Sequence, residues 1–228
     1  LNHHHIEEDI LATDPRVHAL RMKEYGVPAY YRHLRLNTCD SPWRKDCQEW
    51  VDHLQDHYVT DRRPLEHYPA DWSQIGKGIL FVGPPGTGKT SLATATLLEC
   101  YHSRRVPVHF IAYADYIKWS NEQRGLADRK EPEAVHRWWE IEDTLNAARM
   151  APVLLLDDVG KEHRTKTGYA ENELDALLRL RHREARPTLI TSNVPPSKWG
   201  DVYNPSMGSF IQGAFTTLTM IGDDRRAA

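Results

Sequence analysis

The chain has little cysteine: three residues, Cys39, Cys47 and Cys100, an odd number without paired CxxC spacing. That leaves no zinc knuckle and no disulfide framework, and it suits a reducing compartment. Long apolar runs are missing too. The longest is the strand-like VLLL core at Val153 to Leu156, far short of a bilayer span, so no membrane is expected. Nor is there an excess of charge: 29 Lys and Arg against 32 Asp and Glu give a formal charge of −3. With no overall basic field, any nucleic-acid surface has to be a local patch. No segment repeats at a fixed period and none is of low complexity. What remains is a soluble, cytoplasmic protein of 228 residues, enough to bury a core without staples. The opening LNHHHIEED has neither an initiator Met nor the apolar segment of a signal peptide, and His3 to His5 read as a tag remnant rather than a metal site.

What is there begins with Gly83, Pro84, Pro85, Gly86, Thr87, Gly88, Lys89 and Thr90, an uninterrupted match to the G-x-x-x-x-G-K-[ST] phosphate loop. GILFV precedes it and a helix-permissive run from Ser91 follows it, which is the strand–loop–helix setting the loop needs. Glycines free successive backbone N–H groups to turn toward phosphate oxygens, and the dipole of the following helix adds to the attraction. Lys89 is expected to reach the β- and γ-phosphates of ATP, and the Thr90 hydroxyl to ligate Mg²⁺. ATP or ADP with Mg²⁺ is the expected cofactor set.

The rest of the chain alternates short β-rich runs with longer helical stretches, the pattern of a parallel sheet with crossover helices. Strands are expected at 78–82, 107–111, 153–157, 188–191 and 215–220, and helices at about 88–103, 113–123, 132–149 and 170–184. Upstream, a helix is expected over about 42–58, with Ser41 and Pro42 at its start. Residues 61–74 read as a loop. Residues 1–24 form a short N-terminal extension whose segment from Ile6 reads as helical pieces, and 25–228 form the main domain. The fold class is α/β, a five-stranded parallel sheet flanked by helices.

Ligands of such a sheet sit at the carboxyl ends of its strands. VLLLDDVG, Val153 to Gly160, delivers two adjacent carboxylates there. Side chains alternate along a strand, so the two have different expected roles: Asp157 in Mg²⁺ coordination and Asp158 in polarising the attacking water. TLITSN ends at Asn193, which either orients water near the γ-phosphate or caps the turn before Pro195 and Pro196.

GPPGTGKT, LLLDDVG and RPTLITSN in that order resemble the AAA+ ATPases of the DnaC/IstB group, replicative helicase loaders and transposition helpers. The resemblance runs from about Tyr25 to Arg226 and includes GVPAYYRHLRL and LLRLRHREARPTLITSN. It implies a P-loop NTPase fold of AAA+ type, makes Asn193 the sensor-1 residue, and makes Arg226, closing a G-x-x-x-R stretch from Gly222, the sensor-2 candidate. It implies self-association into an ATP-bridged oligomer, with a replicative hexameric helicase and single-stranded DNA as partners. The chain departs from the group in two places. The group's Ser-Arg-Leu-like element, whose arginine reaches the neighbouring subunit's ATP, is replaced by Met207 to Phe210, and no arginine lies between Arg186 and Arg225. A guanidinium supplied in trans is worth orders of magnitude in phosphoryl transfer. Turnover is therefore expected to be slow, or the arginine to come from a partner or from Arg179, Arg181 or Arg183. The stretch before GVPAYYR is also short for a loader: Ile6 to Glu24 is a minimal grip, the chain is a fragment, or the partner binds elsewhere.

For DNA, Lys161, Arg164 and Lys166 after the acidic pair form the better expected patch. Lys118, Arg129 and Lys130, with Arg124, Arg137 and Arg149, form the second. Trp119, Trp138 and Trp139 fit base stacking but fit a helix core better. The readings that follow are a helicase loader or remodeller, a transposition helper that presents target DNA to a transposase, and a non-hydrolysing nucleotide-binding adaptor or inhibitor of a helicase.

Overall fold

A computed structural model describes residues 15–57, 72–161 and 168–222. Five strands form one parallel sheet: β1 (Gly78–Val82), β2 (Val108–Ala112), β3 (Val153–Val159), β4 (Thr188–Ser192) and β5 (Phe215–Thr219), in the order β2-β3-β4-β1-β5. β1, β3 and β4 lie inside the sheet and are buried almost throughout. That double burial is why GILFV, VLLL and TLIT read as continuous apolar runs rather than alternating ones.

Before the sheet come α1 (Pro15–Glu24), α2 (Arg44–Asp52) and α3 (Leu54–His57). The crossovers are α4 (Lys89–Arg104), α5 (Tyr113–Leu126), α6 (Pro132–Met150) and α7 (Tyr169–Arg183), with α8 (Trp199–Val202) and α9 (Pro205–Ala214) before β5. Two cores result. On one face of the sheet α4 is packed between the strands and α2, through Leu92, Leu97 and Cys100 against Cys47 and Val51. On the other, α5 to α9 cover Leu80, Leu154, Leu156 and Ile190. Among the described residues no helix is long and apolar enough to cross a membrane.

The expected strands and crossover helices all appear close to their expected bounds. The helix expected over 42–58 does not run through: it starts at Arg44 and breaks at His53. The cause is Arg104, whose Nε donates to the Val51 carbonyl at 3.1 Å and whose Nη2 donates to the Asp52 carbonyl at 2.9 Å. A guanidinium that satisfies the last carbonyls ends the helix there. No helix is expected from the sequence over 199–214. Here Pro205 sits in the first turn of α9 and the Asn204 side chain caps it, accepting the Met207 N–H at 2.8 Å. α1 docks through Arg21, which donates to the Tyr101 hydroxyl at 3.0 Å, and through Met22, buried in the α4-side core. The part of the N-terminal extension before residue 15 lies outside the described residues.

One expected functional arginine is structural instead. Arg181 is fully buried. Its guanidinium donates to the carbonyls of Ala148, Arg149 and Ala151 at 2.8–3.1 Å, to Pro187 at 3.0 Å and to the Thr188 hydroxyl at 2.9 Å. The charge closes the carbonyl end of α6, where the helix dipole is negative, and no part of it is available to a neighbouring subunit. This corrects the expectation of a trans-acting role. Arg181→Ala strands these carbonyls, so chemical denaturation is expected to show a loss of about 3 kcal/mol or more. The exposed Arg183→Ala is expected to stay within about 0.5 kcal/mol of the parent.

Candidate nucleotide site

The phosphate loop leaves the sheet pinned on both sides. The Met220 N–H donates to the Val82 carbonyl at 2.7 Å and the Gly83 N–H to the Ser192 carbonyl at 3.3 Å. A Cβ at Gly83, whose φ is +156°, would lie 2.2 Å from the Met220 carbonyl oxygen, so the pinning requires glycine. Inside the loop the Thr87 hydroxyl donates to the Pro84 carbonyl at 2.9 Å. Lys89, buried at the start of α4, donates its Nζ protons to the carbonyls of Gly83 at 2.9 Å and Pro84 at 2.7 Å. The ammonium is thereby folded into the loop's concavity.

Three elements meet on one carboxylate oxygen. The Thr90 hydroxyl from α4 donates to Asp157 Oδ1 at 2.9 Å, and the Thr191 hydroxyl from β4 donates to the same atom at 2.6 Å. Thr191 Oγ1 in turn accepts the Asp158 N–H at 2.9 Å. Burial pushes the Asp157 carboxyl above its ordinary range and neighbouring Asp158 adds to this, while the two threonine hydroxyls pull it back. Nothing in TLITSN marks Thr191 as more than a β-branched strand residue. Its role follows from β3 and β4 being neighbours.

Asp158 has a left-handed backbone, φ +58°, a conformation that costs an L residue roughly 1–2 kcal/mol. The pairing of β3 with β4 shifts register between Leu156 and Val159 at the same point. The irregularity separates the two acids: Asp157 is 7 % exposed, whereas the half-exposed Asp158 side chain pairs with Lys161 at 2.8 Å.

A cleft of about 430 Å³ is lined by Pro85, Gly86, Gly88, Lys89, Thr90 and Ser91 on the loop side and by Asp157, Asp158 and Lys161 opposite, with Tyr30 and Tyr31 at its edge. The tyrosines were not expected here; GVPAYYR carried no local signal of a ligand wall. A second recess of about 220 Å³, with Leu34, Leu92 and Met220 beside Gly88 and Ser91, adjoins the loop. Its size and apolar lining suit a base. The donor set fits a magnesium-bound nucleoside triphosphate: Lys89 and the loop amides for phosphate, Thr90 and Asp157 for the cation. The metal would supply charge neutralisation at the phosphates.

Other expected site residues fall differently. Asn193 stands outside the cleft's lining, but its Oδ1 is buried with no hydrogen-bond partner among the described residues. The turn-capping role open to it belongs to Ser192, whose Oγ accepts the Val194 N–H at 3.0 Å. Lys161 lines the nucleotide cleft and pairs with Asp158 while staying half-exposed; the rest of its expected DNA patch, Arg164 and Lys166, lies outside the described residues, as does Arg226. Lys118, Arg129 and Lys130 are exposed on α5 and the turn after it. The core expectation for the tryptophans holds for Trp119, which packs against the core on the α5 to α9 face of the sheet, and needs correction for Trp139: α6 buries Ile141, Leu145 and Ala148, whereas Trp139 is 59 % exposed and stands edge-on to half-buried Trp138.

The family model for the ATPase family associated with various cellular activities, AAA, matches residues 79–195, just over half of the chain. The Bacillus subtilis phage-like element PBSX protein XkdC is 29% identical over 136 residues, 57% of this chain and 46% of its own length. An ATP-binding protein of insertion sequence IS5376 from Geobacillus stearothermophilus is 27% identical over 166 residues, 73% of this chain and 59% of its own. The chain thus spans about half the length of these curated relatives. A crystal structure of the DnaC helicase loader superposes with a TM-score of 0.61 at 20% identity, covering 85% of this chain and all of that one. That likeness speaks to the fold.

The two threonine bonds on Oδ1 survive replacement of Asp157 by Asn, while the buried charge does not. A carboxyl whose folded pKa is raised lowers stability once pH climbs above its unfolded value, so Asp157→Asn at neutral pH is expected to melt no lower than the parent. Magnesium-dependent nucleotide uptake, followed by calorimetry, is expected to be lost.

Proposed function

The chain belongs to the AAA family of ATPases, and from that premise we propose that it is an ATP-dependent accessory protein of DNA replication that loads or remodels a hexameric helicase. The observation that carries the ATPase part is the clasp of Thr90 and Thr191 on Asp157, facing Lys89 across one cleft. It holds the cation ligands in place before nucleotide arrives, so little reorganisation remains to be done on binding. Asp158, split off by its left-handed backbone, polarises the attacking water, and Asn193 responds to the γ-phosphate through its unpartnered amide. ATP binding orders the assembly and hydrolysis relaxes it. Support for the helicase partner is the fold shared along the whole solved DnaC loader chain. A second reading, a helper that delivers target DNA to a transposase, is favoured by the insertion-sequence relative. Pull-down against a replicative helicase and a transposase separates the two: retention of only the transposase in the presence of ATP would replace the first with the second.

With Arg181 sealed inside, Arg179 and the exposed Arg183 remain on α7 as trans-acting candidates, and we propose Arg179. Its Nε donates to Asp175 Oδ1 at 2.7 Å, and it leans onto α9, with its guanidinium 4.9 Å from the Phe210 ring centre and donating to the Ser206 hydroxyl at 2.8 Å. Its charge therefore stands beside the stretch where related chains carry their arginine. Steady-state hydrolysis by the assembled protein is expected to fall by roughly two orders of magnitude or more in Arg179→Ala, and to be abolished in Lys89→Ala. Arg183→Ala is expected to leave it unchanged, and equal rates for Arg179→Ala and the parent would remove the assignment.

Single-stranded DNA is the proposed nucleic-acid partner, held by the exposed Lys118, Arg129 and Lys130 with Trp139 available for stacking. Reversing the three charges to Glu is expected to weaken binding and to reduce the slope of log K against log salt by about 2. An unchanged slope in fluorescence anisotropy would exclude this surface.

A further inference from the structure

A third hollow, of about 600 Å³, lies behind the nucleotide cleft, between β2, α5, α6 and the chain entering from α1. Its composition excludes a phosphate-bearing ligand. Glu24, Asp115, Asp143 and Asp157 line it against the single ammonium of Lys23, so an anion or a nucleic-acid backbone would be repelled. A compact metal ion is excluded as well, because the described residues contain no group of three or more ligating side chains close enough to hold one. The wall also carries His109, 6 % exposed and without any hydrogen-bond partner among the described residues. A buried imidazole left unpaired in a cavity wall calls for a ligand that supplies hydrogen-bonding groups. Burial, with the charge of Arg181 behind it, lowers the His109 pKa to about 4, so the ring adds no positive charge at neutral pH. Trp119 and Tyr31 provide aromatic surface, on which a flat organic cation lies well.

We infer that this cavity is a binding site for a guanidinium-type organic cation, held by Asp115 and Asp143 at the rim and His109 in the wall, against Trp119. Spaced carboxylates match an extended, multi-donor cation better than a point charge. The cavity shares Asp157 and Tyr31 with the nucleotide cleft, so an occupant sits one side chain away from the proposed magnesium ligand. The same chemistry has two sources, a free small cation or an arginine side chain of a second copy of this chain. The inference does not depend on the proposed replication role.

Agmatine is the probe. Titration calorimetry of the full nucleotide-free chain at low salt is expected to give saturable uptake, while N-carbamoylputrescine, which keeps the ammonium but carries a neutral urea in place of the guanidinium, binds about tenfold or more weakly. Asp115 and Asp143 are exposed at the rim, so the double variant Asp115→Asn, Asp143→Asn is expected to fold and to bind agmatine about tenfold or more weakly. Its affinity for a fluorescent ATP analogue, measured separately, is expected to be unchanged, which keeps failure at this cavity distinct from failure at the nucleotide site. Absence of saturable uptake by the parent, or equal uptake by the double variant, overturns the inference. Sedimentation in Mg-ATP then assigns the source. Self-association blocked by agmatine and by the rim variant identifies a neighbouring chain's arginine; self-association indifferent to both identifies a free cation.

Discussion

One carboxylate oxygen organises the site. Asp157 Oδ1 receives hydroxyl protons from α4 and from β4 while its own backbone belongs to β3. Three elements far apart in sequence are therefore fixed to one another within hydrogen-bonding distance. The arrangement has an energetic cost, because the carboxylate is nearly buried and its ionised form is disfavoured there. The left-handed backbone of Asp158 adds local strain beside it. Unfavourable conformations and buried charge next to one another are what a site looks like when surrounding structure, rather than local preference, holds it in shape.

The same surroundings sort the arginines. Arg179, Arg181 and Arg183 sit on alternate positions of α7, and two residues along a helix turn a side chain by about 200°, to nearly the opposite face. Arg181 points into the protein and closes α6, whereas Arg179 reaches Ser206 and Phe210 on α9. An arginine pattern that looks uniform in sequence thus has a buried structural member and a half-exposed one directed at a neighbouring helix. Charges near the cleft are sorted likewise: Lys161 is occupied with Asp158, and the acidic cavity beyond Asp157 is separated from the phosphate side by that residue and Tyr31.

The departures from the expected elements share a cause. Arg104 ends α2 from a distance of more than fifty positions, Asn204 rescues a helix from a Pro- and Gly-rich stretch, and α6 buries the 141, 145 and 148 positions instead of its tryptophans. In the first and third cases the deciding partner is remote in sequence. In the second it is local, but the surrounding prolines and glycines outweigh it when composition alone is considered.

From the residues alone came the phosphate loop, the acidic strand end, the parallel α/β sheet and the places of its crossover helices, because these rest on short-range order: loop chemistry, apolar periodicity and turn residues within a few positions of each other. Only the folded chain decided that Thr191 holds Asp157, that Tyr30 and Tyr31 border the nucleotide cleft, that Arg181 is sealed inside, and that His109 lines an acidic hollow. Each of those depends on which strand lies beside which and which helix covers them, and parallel pairing brings together residues whose separation along the chain carries no local trace.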